Sequence, residues 1–423
     1  MRIIGNMKRI LTALLLAVAL PLAAKPALFP DTVPPEFKKM KLRDKEVCEI
    51  APGVTYYHYH FDNVLPKNKV PFYKVSRIYI HANGKARING GKKLSPEDAA
   101  KQEAAAQEKI AILEKELKNK KNFHDAALKY SDDPGAKAKK PNLQFPVIEI
   151  GGGQVEPELE EAIKKLKKPG DISDVVKTEK GYYFLRLDKV IKEMPVSVFY
   201  VVIDWEKANV KFKLGHCGKR LKTVREMVQD DKTLAAVNGA YFSWVPLSTY
   251  YPFKFDGNMI LPKKAYDSRI GMCFKDGEFP VLDQEENYDK YDNVIVGYHI
   301  WKNKTYSLSA RNDHWTQFAA GSTPLTAVGF NFEKKRVVLM TSDGRFPDDA
   351  PGLNFYTLGY MLSIMGCTDV LSVDGGGSCT MIIREGRKLS DPKNHPSDNR
   401  RFDHGGARSV YNCIYLVEGD KEK

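Results

Sequence analysis

Cysteine is scarce in this sequence, and the cysteine motifs that bind metals or carry redox chemistry are missing. The six cysteines among 423 residues are scattered, with no Cys-x-x-Cys pair. Several lie in apolar runs, where buried free thiols are common. The spacing therefore indicates neither a metal site nor a redox pair, and it leaves any disulfide pairing open.

Long hydrophobic runs are also missing after the N-terminal region. Residues 1–9 are basic, Ile10–Leu20 is apolar and Pro21–Ala24 ends in small residues, which predicts a secretory signal peptide over residues 1–24. The apolar run is too short to cross a bilayer, and no later run reaches about 18 apolar residues. No cysteine follows closely enough for a lipid anchor. We therefore expect an exported protein, periplasmic or extracellular, without a transmembrane segment in the mature chain.

Negative charge is outweighed by positive charge, for a formal net charge of +13. Between Pro66 and Glu193, 27 Lys and Arg residues face 19 Asp and Glu residues. Lysines and glutamates alternate there on a predicted helix, which indicates a solvated face. The alternative is a basic surface that binds anionic envelope polymers or a protein partner. No nucleic-acid-binding motif accompanies the charge, so nucleic acid is not an expected partner.

The periodicity of the remaining segments predicts an α+β protein. Residues 25–46 are rich in Pro and Lys and are predicted to be a linker, and Cys48–Phe61 has strand character. Ser95-Pro96-Glu97-Asp98 is a capping motif that opens a long helix. The predicted helices are Ser95 to about Lys121, Phe123–Tyr130, Glu156–Leu166 and Phe355–Met365. The predicted strands are Val75–His81, Gly181–Val190, Val196–Asp204, Val210–Leu214, Leu234–Val237, Gly271–Phe274, Asn293–Val296, Ala327–Phe332 and Arg336–Thr341.

A central region carries several motifs in a recognisable order. They are Asn122-Phe123-His124-Asp125-Ala126-Ala127, Lys129-Tyr130-Ser131-Asp132-Asp133, Val155-Glu156-Pro157-Glu158-Leu159-Glu160, Lys168-Pro169-Gly170-Asp171-Ile172-Ser173 and Gly181-Tyr182-Tyr183. In this order they resemble the parvulin-type peptidyl-prolyl isomerase family over about Phe72–Ile191. Arg77 and Tyr183 stand where that family has histidines, and Leu159 stands where a phenylalanine lines its proline pocket. The resemblance therefore implies a parvulin fold used for binding or positioning, with weak or absent isomerase activity.

Chemistry is expected in the C-terminal half, where four clusters put small residues beside a polar group at a predicted strand end. The most informative is Asp374-Gly375-Gly376-Gly377-Ser378, named here the glycine loop. Three glycines weaken regular structure and suit a loop whose backbone must approach something closely. The alternative is a flexible turn with an incidental aspartate. The other clusters are Val237–Phe242, Ser342–Arg345 and Arg408–Asn412.

Together the clusters would supply two carboxylates, two arginines, two amides and a glycine-rich turn. Loops can bring such distant segments together on a rigid scaffold. Backbone amides of a glycine turn bind anions, and the planar fork of arginine matches phosphate oxygens. The sequence therefore predicts a site for an anion and a sugar.

These motifs resemble the phosphodiester glycosidase family, because Asn-Gly-x-Tyr-Phe, Thr-Ala-Val-Gly, Asp-Gly-Arg, Asp-Gly-Gly-Gly-Ser and Arg-x-Val-x-Asn follow in family order between about Pro195 and Val417. The resemblance implies cleavage between an anomeric carbon and a phosphodiester oxygen, through an oxocarbenium-like state. We predict Asp374 as the chief catalytic carboxylate and Asp343 as its catalytic partner or a sugar ligand. The predicted substrate-binding residues are Asn238, Gly239, Arg345, Gly375, Gly376, Gly377, Ser378, Arg408 and Asn412.

Two residues depart from the pattern of the glycosidase family. Leu325 stands where an arginine is usual, and Ser372 stands where an asparagine is usual. Losing one cationic donor near a phosphate would weaken binding by about 1–3 kcal/mol. This departure leaves open a protein that binds sugar phosphates without catalysis. A third alternative is a periplasmic folding factor built on the parvulin-like segment.

The order of the motifs also predicts how the domains are arranged. Ile50–Thr55 is similar to the opening strand of the glycosidase family, so the parvulin-like segment is predicted to be inserted after that strand. The predicted parts are a signal peptide (1–24), a linker (25–46), a first strand region (47–65), a parvulin-like insert (66–193), a glycosidase-like domain (194–419) and a tail (420–423).

Each site residue also has a structural explanation. Asp343 would cap a turn, Arg408 would pair with a structural carboxylate, and Asn412 would be a buried amide. No cofactor is predicted. Asp343 and Asp374 could share a divalent cation, but no ligand cluster has metal spacing, and metal dependence stays open. The histidines expected to be loop, surface or cross-strand residues rather than ligands are His58, His60, His81 and His404.

Overall fold

The structure is a computed structural model of the chain and describes residues 34, 37–64, 72–82, 95–118, 123–139, 141–145, 148–150, 155–191, 194–228, 231–261, 270–306 and 322–420. The predicted signal peptide lies outside these residues, as does the tail after residue 420. The chain divides into two units, Met1–Lys39 and Met40–Lys423, and each described sheet belongs to the second. No helix in the described ranges is long and apolar enough to cross a membrane.

Strands outnumber helices in the described part of the chain, and this mixture confirms the predicted fold class. The helices are α1 (Pro96–Leu117), α2 (Phe123–Tyr130), α3 (Pro157–Lys165), α4 (Val224–Met227) and α5 (Phe355–Ile364). The strands are β1 (Lys41–Ala51), β2 (Val54–Val64), β3 (Phe72–His81), β4 (Ile148–Glu149), β5 (Val176–Thr178), β6 (Gly181–Ile191), β7 (Met194–Asp204), β8 (Val210–His216), β9 (Thr233–Asn238), β10 (Phe242–Trp244), β11 (Leu247–Thr249), β12 (Phe253–Phe255), β13 (Asn258–Leu261), β14 (Gly271–Phe274), β15 (Val281–Asp283), β16 (Asn293–Val296), β17 (Tyr298–Lys302), β18 (Thr305–Tyr306), β19 (Thr326–Asn331), β20 (Arg336–Ser342), β21 (Asp369–Ser372), β22 (Met381–Glu385), β23 (Lys388–Leu389) and β24 (Asn412–Glu418).

The largest sheet joins strands from both sides of the parvulin-like segment. Its order is β1-β2-β7-β20-β19-β21-β17-β18, and β2 pairs antiparallel with β7. Between these two strands in sequence lie α1, α2, α3 and a separate four-stranded sheet with the order β4-β3-β6-β5. The chain therefore leaves the large sheet after β2, builds a smaller α+β unit and returns at β7.

Strand β1 corrects the predicted linker over residues 25–46. Residues Lys41–Glu46 belong to β1, which pairs with β2 around the Ala51–Gly53 turn. The strand lies at the sheet edge, and most of its side chains are exposed. Charged side chains are common on edge strands because they discourage pairing with other chains. This charged composition explains why the sequence predicts a linker over these residues.

Most predicted elements occur within a few residues of their predicted bounds. The long helix begins at Pro96 behind Ser95, whose hydroxyl accepts a hydrogen bond from the Asp98 amide. It ends at Leu117, earlier than predicted. Several strands of two to five residues were not predicted, because so few residues show little alternation. The elements with the predicted bounds are Phe123–Tyr130, Gly271–Phe274 and Asn293–Val296.

Three central strands of the large sheet form a rigid base for the loops that follow them. Every residue of β19, β20 and β21 is buried. Their apolar side chains share one core with those of a five-stranded sheet of order β23-β22-β9-β24-β8. Close packing of this kind resists displacement, so the ends of these strands are held in fixed positions.

Candidate functional site

The ends of three neighbouring strands bring predicted site residues to one edge of the large sheet. Strands β20 and β21 both pair antiparallel with β19, so they run parallel to each other and end at the same edge. Asp343 follows the end of β20, the glycine loop follows β21, and Leu325 precedes β19 between them. The charges of Asp343 and Asp374 both reach the buried thiol of Cys379. The structure thus brings the two aspartates to one site.

Asp374 lies in a buried segment of the chain but is itself partly exposed. The other residues of 369–383 are all buried. Its amide donates to the Gly239 carbonyl at 2.9 Å, and its carbonyl accepts from Asn238 Nδ2 at 2.7 Å. The Gly375 amide donates to its Oδ1 at 2.9 Å. The carboxylate is therefore held where a ligand can reach the loop.

The environment of Asp374 makes its proton affinity unusual. Burial raises the pKa of Asp374 to about 6, although the Ser378 hydroxyl, the Gly375 amide, Arg408 and Arg345 each lower it. The Ser378 hydroxyl lies near the carboxylate without a hydrogen bond of good geometry. A carboxyl group with a raised pKa, on a residue that is partly exposed, is a candidate for catalysis.

The glycines let other parts of the protein pack against the loop, as expected for a close approach. A Cβ on Gly376, whose φ is +65°, would lie 2.6 Å from Arg345 Nη2. A Cβ on Gly377 would overlap both Asp398 and Arg408. These contacts explain why residues with side chains do not suit the two positions.

The predicted anion-binding row of backbone amides needs correction. The Gly375 amide is bonded to Asp374, and the Gly376 amide donates to the Pro324 carbonyl at 2.8 Å. Leu325 is buried, and its Cδ2 lies 3.1 Å from where a Cβ of Gly375 would be. Two of the three glycine amides therefore donate hydrogen bonds within the protein and fix the shape of the loop. The loop also has an apolar contact with Leu325.

Both predicted phosphate-binding arginines reach the glycine loop, but they are held differently. Arg408 binds Asp398 with two hydrogen bonds of 2.7 Å, from Nε and from Nη2, as its structural alternative predicted. Arg345 is exposed, and its Nη1 lies 3.4 Å from Ser397 Oγ. The charges of both arginines lower the pKa of Asp374. Two guanidinium groups therefore lie near the carboxylate of Asp374.

Four residues predicted to bind substrate are buried, and the two asparagines among them accept hydrogen bonds from other parts of the protein. Asn238 Oδ1 accepts hydrogen bonds from Thr326 Oγ1 at 2.7 Å and from the Thr380 amide at 3.2 Å. Asn412 Oδ1 accepts one from the Ala240 amide at 2.6 Å. These asparagines position backbone beside the glycine loop, which is the structural alternative considered for Asn412. The four buried residues are Asn238, Gly239, Ser378 and Asn412, and their substrate-binding roles stay predictions.

Asp343 is also buried, and this corrects its prediction as a second catalytic carboxylate. Its Oδ1 accepts a hydrogen bond from the backbone amide of His395 at 2.6 Å, and its Oδ2 lies 2.8 Å from Nδ1 of the same residue. When Nδ1 donates, the acceptor of a neutral imidazole is Nε2. Asp343 therefore orients His395, and the two form a pair named here the dyad.

The sequence does not predict His395 as a site residue, because no spacing rule links it to an aspartate 52 residues away. The ring of Phe402 stacks on its imidazole at 3.8 Å, and the ring of His404 at 4.6 Å. His404 Nδ1 also lies 3.1 Å from the Asn394 carbonyl. His395 thus adds an imidazole beside Asp343.

Two other histidines are less exposed than a surface position would imply. His58 stacks on Phe199 at 4.3 Å, and burial lowers its pKa to about 4. His60 is buried, with Nε2 3.1 Å from the Asp349 carbonyl. Both lie on β2 and take the predicted cross-strand role. Among the described residues, no group of three or more His, Cys, Asp or Glu side chains is arranged to hold a metal ion.

Tyr241 is a further neighbour of Asp374. Burial, followed by the charge of Asp374, raises its pKa. Its ring meets those of Tyr298 and Tyr251 edge-on, at 5.4 and 6.1 Å. The Asn-Gly-x-Tyr-Phe motif thus supplies an aromatic residue as well as backbone contacts.

All six cysteines are free thiols in the structure.

The parvulin-like unit carries packed side chains where its family resemblance expects histidines. Arg77 Nε lies 2.5 Å from Asp133 Oδ2, and its guanidinium covers the ring of Phe145 at 4.4 Å. Tyr183 is buried against Tyr79, with ring centroids 4.9 Å apart. Neither the guanidinium of Arg77 nor the phenol of Tyr183 takes the place of an imidazole that could exchange protons. Weak or absent isomerase activity stays a prediction.

Comparison with known families agrees with this division. Residues 231–417 match the family model of phosphodiester glycosidases, and residues 93–189 match that of the PPIC-type peptidyl-prolyl isomerase domain. The chain contains a phosphodiester glycosidase domain and a parvulin domain. The exact boundaries predicted for the parts of the chain stay predictions.

Curated relatives match the parvulin domain only in part. Foldase protein PrsA 2 of Listeria innocua is 36% identical over 85 residues, 20% of this chain and 28% of that protein. Foldase protein PrsA 1 of Bacillus cereus is 32% identical over 83 residues, 20% of this chain and 27% of that protein. The chain thus spans little more than a quarter of the length of these relatives.

Solved structures resemble larger parts of the chain at low identity. The catalytic domain of zebrafish N-acetylglucosamine-1-phosphodiester alpha-N-acetylglucosaminidase has 17% identity and a TM-score of 0.42, covering 59% of this chain and 82% of its own. A putative exported protein of Burkholderia pseudomallei has 14% identity and a TM-score of 0.49, covering 92% and 99%. Likeness at this level does not bear on activity.

Proposed function

We propose that the protein is an exported phosphodiester glycosidase that hydrolyses the bond between a sugar anomeric carbon and a phosphodiester in envelope or exopolysaccharide-type glycans. The glycosidase domain supports a hydrolase of glycosidase type in general. The observation that carries the finer proposal is the carboxyl of the partly exposed residue Asp374, whose pKa burial raises to about 6 beside two guanidinium groups.

Arg345 and Arg408 bind the phosphodiester in this proposal. A phosphodiester carries one negative charge, and planar guanidinium groups match its oxygens. Asp398 occupies Nε and Nη2 of Arg408, so its Nη1 is the nitrogen that takes the substrate. Arg345 approaches from the other glycine, Gly376. The substrate phosphate then lies beside the loop, with the anomeric carbon toward Asp374.

Asp374 acts in its ionised form on the anomeric carbon. The bond from that carbon to the phosphate oxygen breaks, and its electron pair leaves with the phosphate. The carboxylate stabilises the positive charge that develops on the sugar, and a water oxygen then bonds to the carbon. Phosphate is a weak base, so the leaving oxygen needs little help from a general acid. The anomeric configuration of the product distinguishes a carboxylate that bonds to the anomeric carbon from one that only stabilises its charge while water attacks directly.

The dyad handles the proton of the attacking water. His395 Nε2 accepts the proton, and Asp343 stabilises the imidazolium through the Nδ1 hydrogen bond. Asp343 is a positioning residue in this scheme, because its carboxylate is buried behind His395.

The proposal is tested by incubating the purified protein with a panel of UDP-sugars and chromogenic sugar phosphodiesters. We expect release of free sugar from at least one substrate, with turnover lost in Asp374→Ala and retained in the control Asp276→Ala. Asp276 is an exposed carboxylate paired with Lys211. No turnover by the wild-type protein, or equal turnover by Asp374→Ala, would refute the proposal.

A second candidate function is a folding factor, favoured by the 36% identity to a foldase over 85 residues of the parvulin domain. In this proposal the domain binds unfolded segments without efficient isomerisation, because Arg77 and Tyr183 are packed against the protein. A proline-isomerisation assay tests this restriction. Strong activity that is lost in Tyr183→Ala would contradict it, while weak activity with suppressed aggregation of an unfolded client would support it.

A further inference from the structure

One loop of the glycosidase domain connects the candidate site with the parvulin-like unit. The segment 343–353, named here the arginine loop, follows β20 and carries Arg345, one of the two guanidinium groups of the site. Near its middle is the exposed residue Asp348. Its Oδ1 lies 3.2 Å from Nζ of Lys74 on β3 and 3.8 Å from Nζ of Lys189 on β6. The loop therefore contacts the parvulin-like unit within three residues of Arg345.

The two lysines lie opposite each other in the sheet of the parvulin-like unit. Lys74 and Lys189 are direct partners in the antiparallel pair of β3 and β6. Like charges directly opposite each other destabilise a sheet. Here a single carboxylate oxygen of Asp348 lies within 4 Å of both ammonium groups. The glycosidase domain thus supplies the negative charge that this pair of lysines needs.

The register of β3 and β6 shifts directly beside the two lysines. The pairing passes from Lys74–Lys189 to Val75–Leu187, so Asp188 is an extra residue on β6. Irregularities of this kind redirect nearby side chains and are often found beside functional sites. Only 14% of the Lys74 side chain is exposed, which limits the positions that its ammonium group can take. The lysine is therefore held in place to bind the loop.

Hydrogen bonds within the arginine loop link its middle to Arg345. The Phe346 amide donates to the Ala350 carbonyl at 3.1 Å, and the Ala350 amide donates to the Phe346 carbonyl at 2.8 Å. The Arg345 amide donates to the Pro351 carbonyl at 3.0 Å. Asp348 lies inside the turn that these bonds close. A displacement of Asp348 would therefore move the backbone of Arg345 as well.

Arg345 has a backbone conformation that its surroundings must maintain. Its φ is +68°, in the left-handed region that residues with a Cβ seldom adopt. Such a conformation persists only where the surrounding structure holds it, and it is common at functional sites. The guanidinium lies close to the glycine loop, since Nη2 is 2.6 Å from where a Cβ of Gly376 would be. The direction of this guanidinium thus depends on contacts that fix the arginine loop.

We propose that Asp348 is a positioning residue of the glycosidase site, because its ion pairs with the parvulin-like unit fix the loop that directs Arg345 toward the substrate phosphate. The parvulin-like unit then supports the site of the other domain. This inference rests on the proposed function, in which Arg345 binds the phosphate. Asp348 acts through the loop backbone, so its loss should weaken substrate binding and leave the chemical step at Asp374 nearly unchanged.

The test reverses the charges of the pair and measures steady-state kinetics. The substrate is the chromogenic sugar phosphodiester that the wild-type protein turns over fastest. Asp348→Lys and Lys74→Glu should each raise KM about fivefold and change kcat less than twofold. The double variant restores a pair of opposite charges, so its KM should return to within twofold of the wild-type value.

Two matched controls separate positioning from the overall charge of the protein. Asp276→Lys and Lys164→Glu make the same changes of charge at other ion pairs, and neither should change KM more than twofold. A long-range field would act differently on the two test variants. Asp348→Lys would attract the negatively charged substrate and lower KM, whereas Lys74→Glu would raise it. Positioning raises KM in both.

Hydrogen exchange of the arginine loop tests the contact without relying on activity. The amides of Phe346 and Ala350 are hydrogen-bonded within the loop, so they exchange when the loop opens locally. We expect peptides covering residues 343–353 to exchange at least threefold faster in Asp348→Lys and in Lys74→Glu. The double variant should exchange at the wild-type rate.

The two measurements distinguish failure of this inference from failure of the proposed function. If the wild-type protein turns over no substrate, the proposed function fails, and faster exchange in both single variants still supports the role of Asp348 in fixing the loop. Unchanged exchange in the single variants, or a KM that stays raised in the double variant, would overturn the inference while the proposed function stands. A lower KM in Asp348→Lys, or a fall in kcat with KM unchanged, would also overturn it.

Discussion

Replacing Asp374 with asparagine should stabilise the folded protein while abolishing the proposed activity. Asparagine has nearly the same shape, and its side-chain oxygen can still accept the Gly375 amide bond that Oδ1 accepts at 2.9 Å. The change removes a negative charge from a site where burial opposes ionisation. Active sites commonly contain residues whose functional form lowers the stability of the fold.

The size of the effect follows from the pKa of Asp374, which rises from an ordinary 3.8 to about 6 in the folded protein. Below pH 3.8 the carboxyl is neutral in both states, so it has no effect. Between the two values the unfolded chain ionises while the folded protein holds its proton, so the wild-type protein loses stability as the pH rises. Above pH 6 the loss is complete, at about 3 kcal/mol.

Calorimetric melting of wild-type and Asp374→Asn proteins at several pH values measures the difference. We expect the variant to melt roughly 5–10 °C higher at pH 8 and at the same temperature near pH 4. Asp276→Asn, at an exposed site, should change unfolding by less than about 0.5 kcal/mol. An Asp374→Asn variant that is less stable than wild type at pH 8, or whose gain is independent of pH, would refute the reasoning.

Further substitutions probe the groups around Asp374. Asn238→Ala removes the buried amide that fixes the glycine loop, so we expect a loss of about 2–3 kcal/mol in unfolding free energy and lower turnover. His395→Ala should reduce turnover at least 100-fold, and adding Asp343→Asn should reduce it little further because the dyad acts as one unit; additive losses would count against the dyad. Gly377→Ala should disrupt the Arg408 pair and raise KM, whereas Gly405→Ala, whose Cβ would lie 3.3 Å from its nearest neighbour, should leave KM unchanged.

The sequence predicts the fold better at long buried strands than at edges and short elements. Strands β19 and β20 are buried along their whole length, and an apolar run within each strand indicates that burial. Strand β1 lies at an edge, so its charged residues resemble those of a linker. Local composition reports the solvent exposure of a segment and only indirectly its hydrogen-bonding partners.

The candidate site shows the same limit in more detail. Three glycines after a strand indicate a close approach, and Arg345 and Arg408 do approach them. The sequence does not reveal that Asp398 holds Arg408, or that Asp343 turns away toward His395. These pairs join residues distant in sequence, and nothing local in either partner marks the other. The residue types of a site can therefore be predicted while their division of labour cannot.

Leu325 bears on the pKa of Asp374. A buried leucine under Gly375 supports the loop by packing, where the family resemblance expects a cation. An arginine at that position would add positive charge beneath Asp374 and lower its pKa. With leucine there, desolvation is the largest effect on the carboxyl, and its pKa rises to about 6 despite Arg345 and Arg408. The departure that first raised doubt about catalysis thus contributes to a carboxyl that can change protonation state near neutral pH.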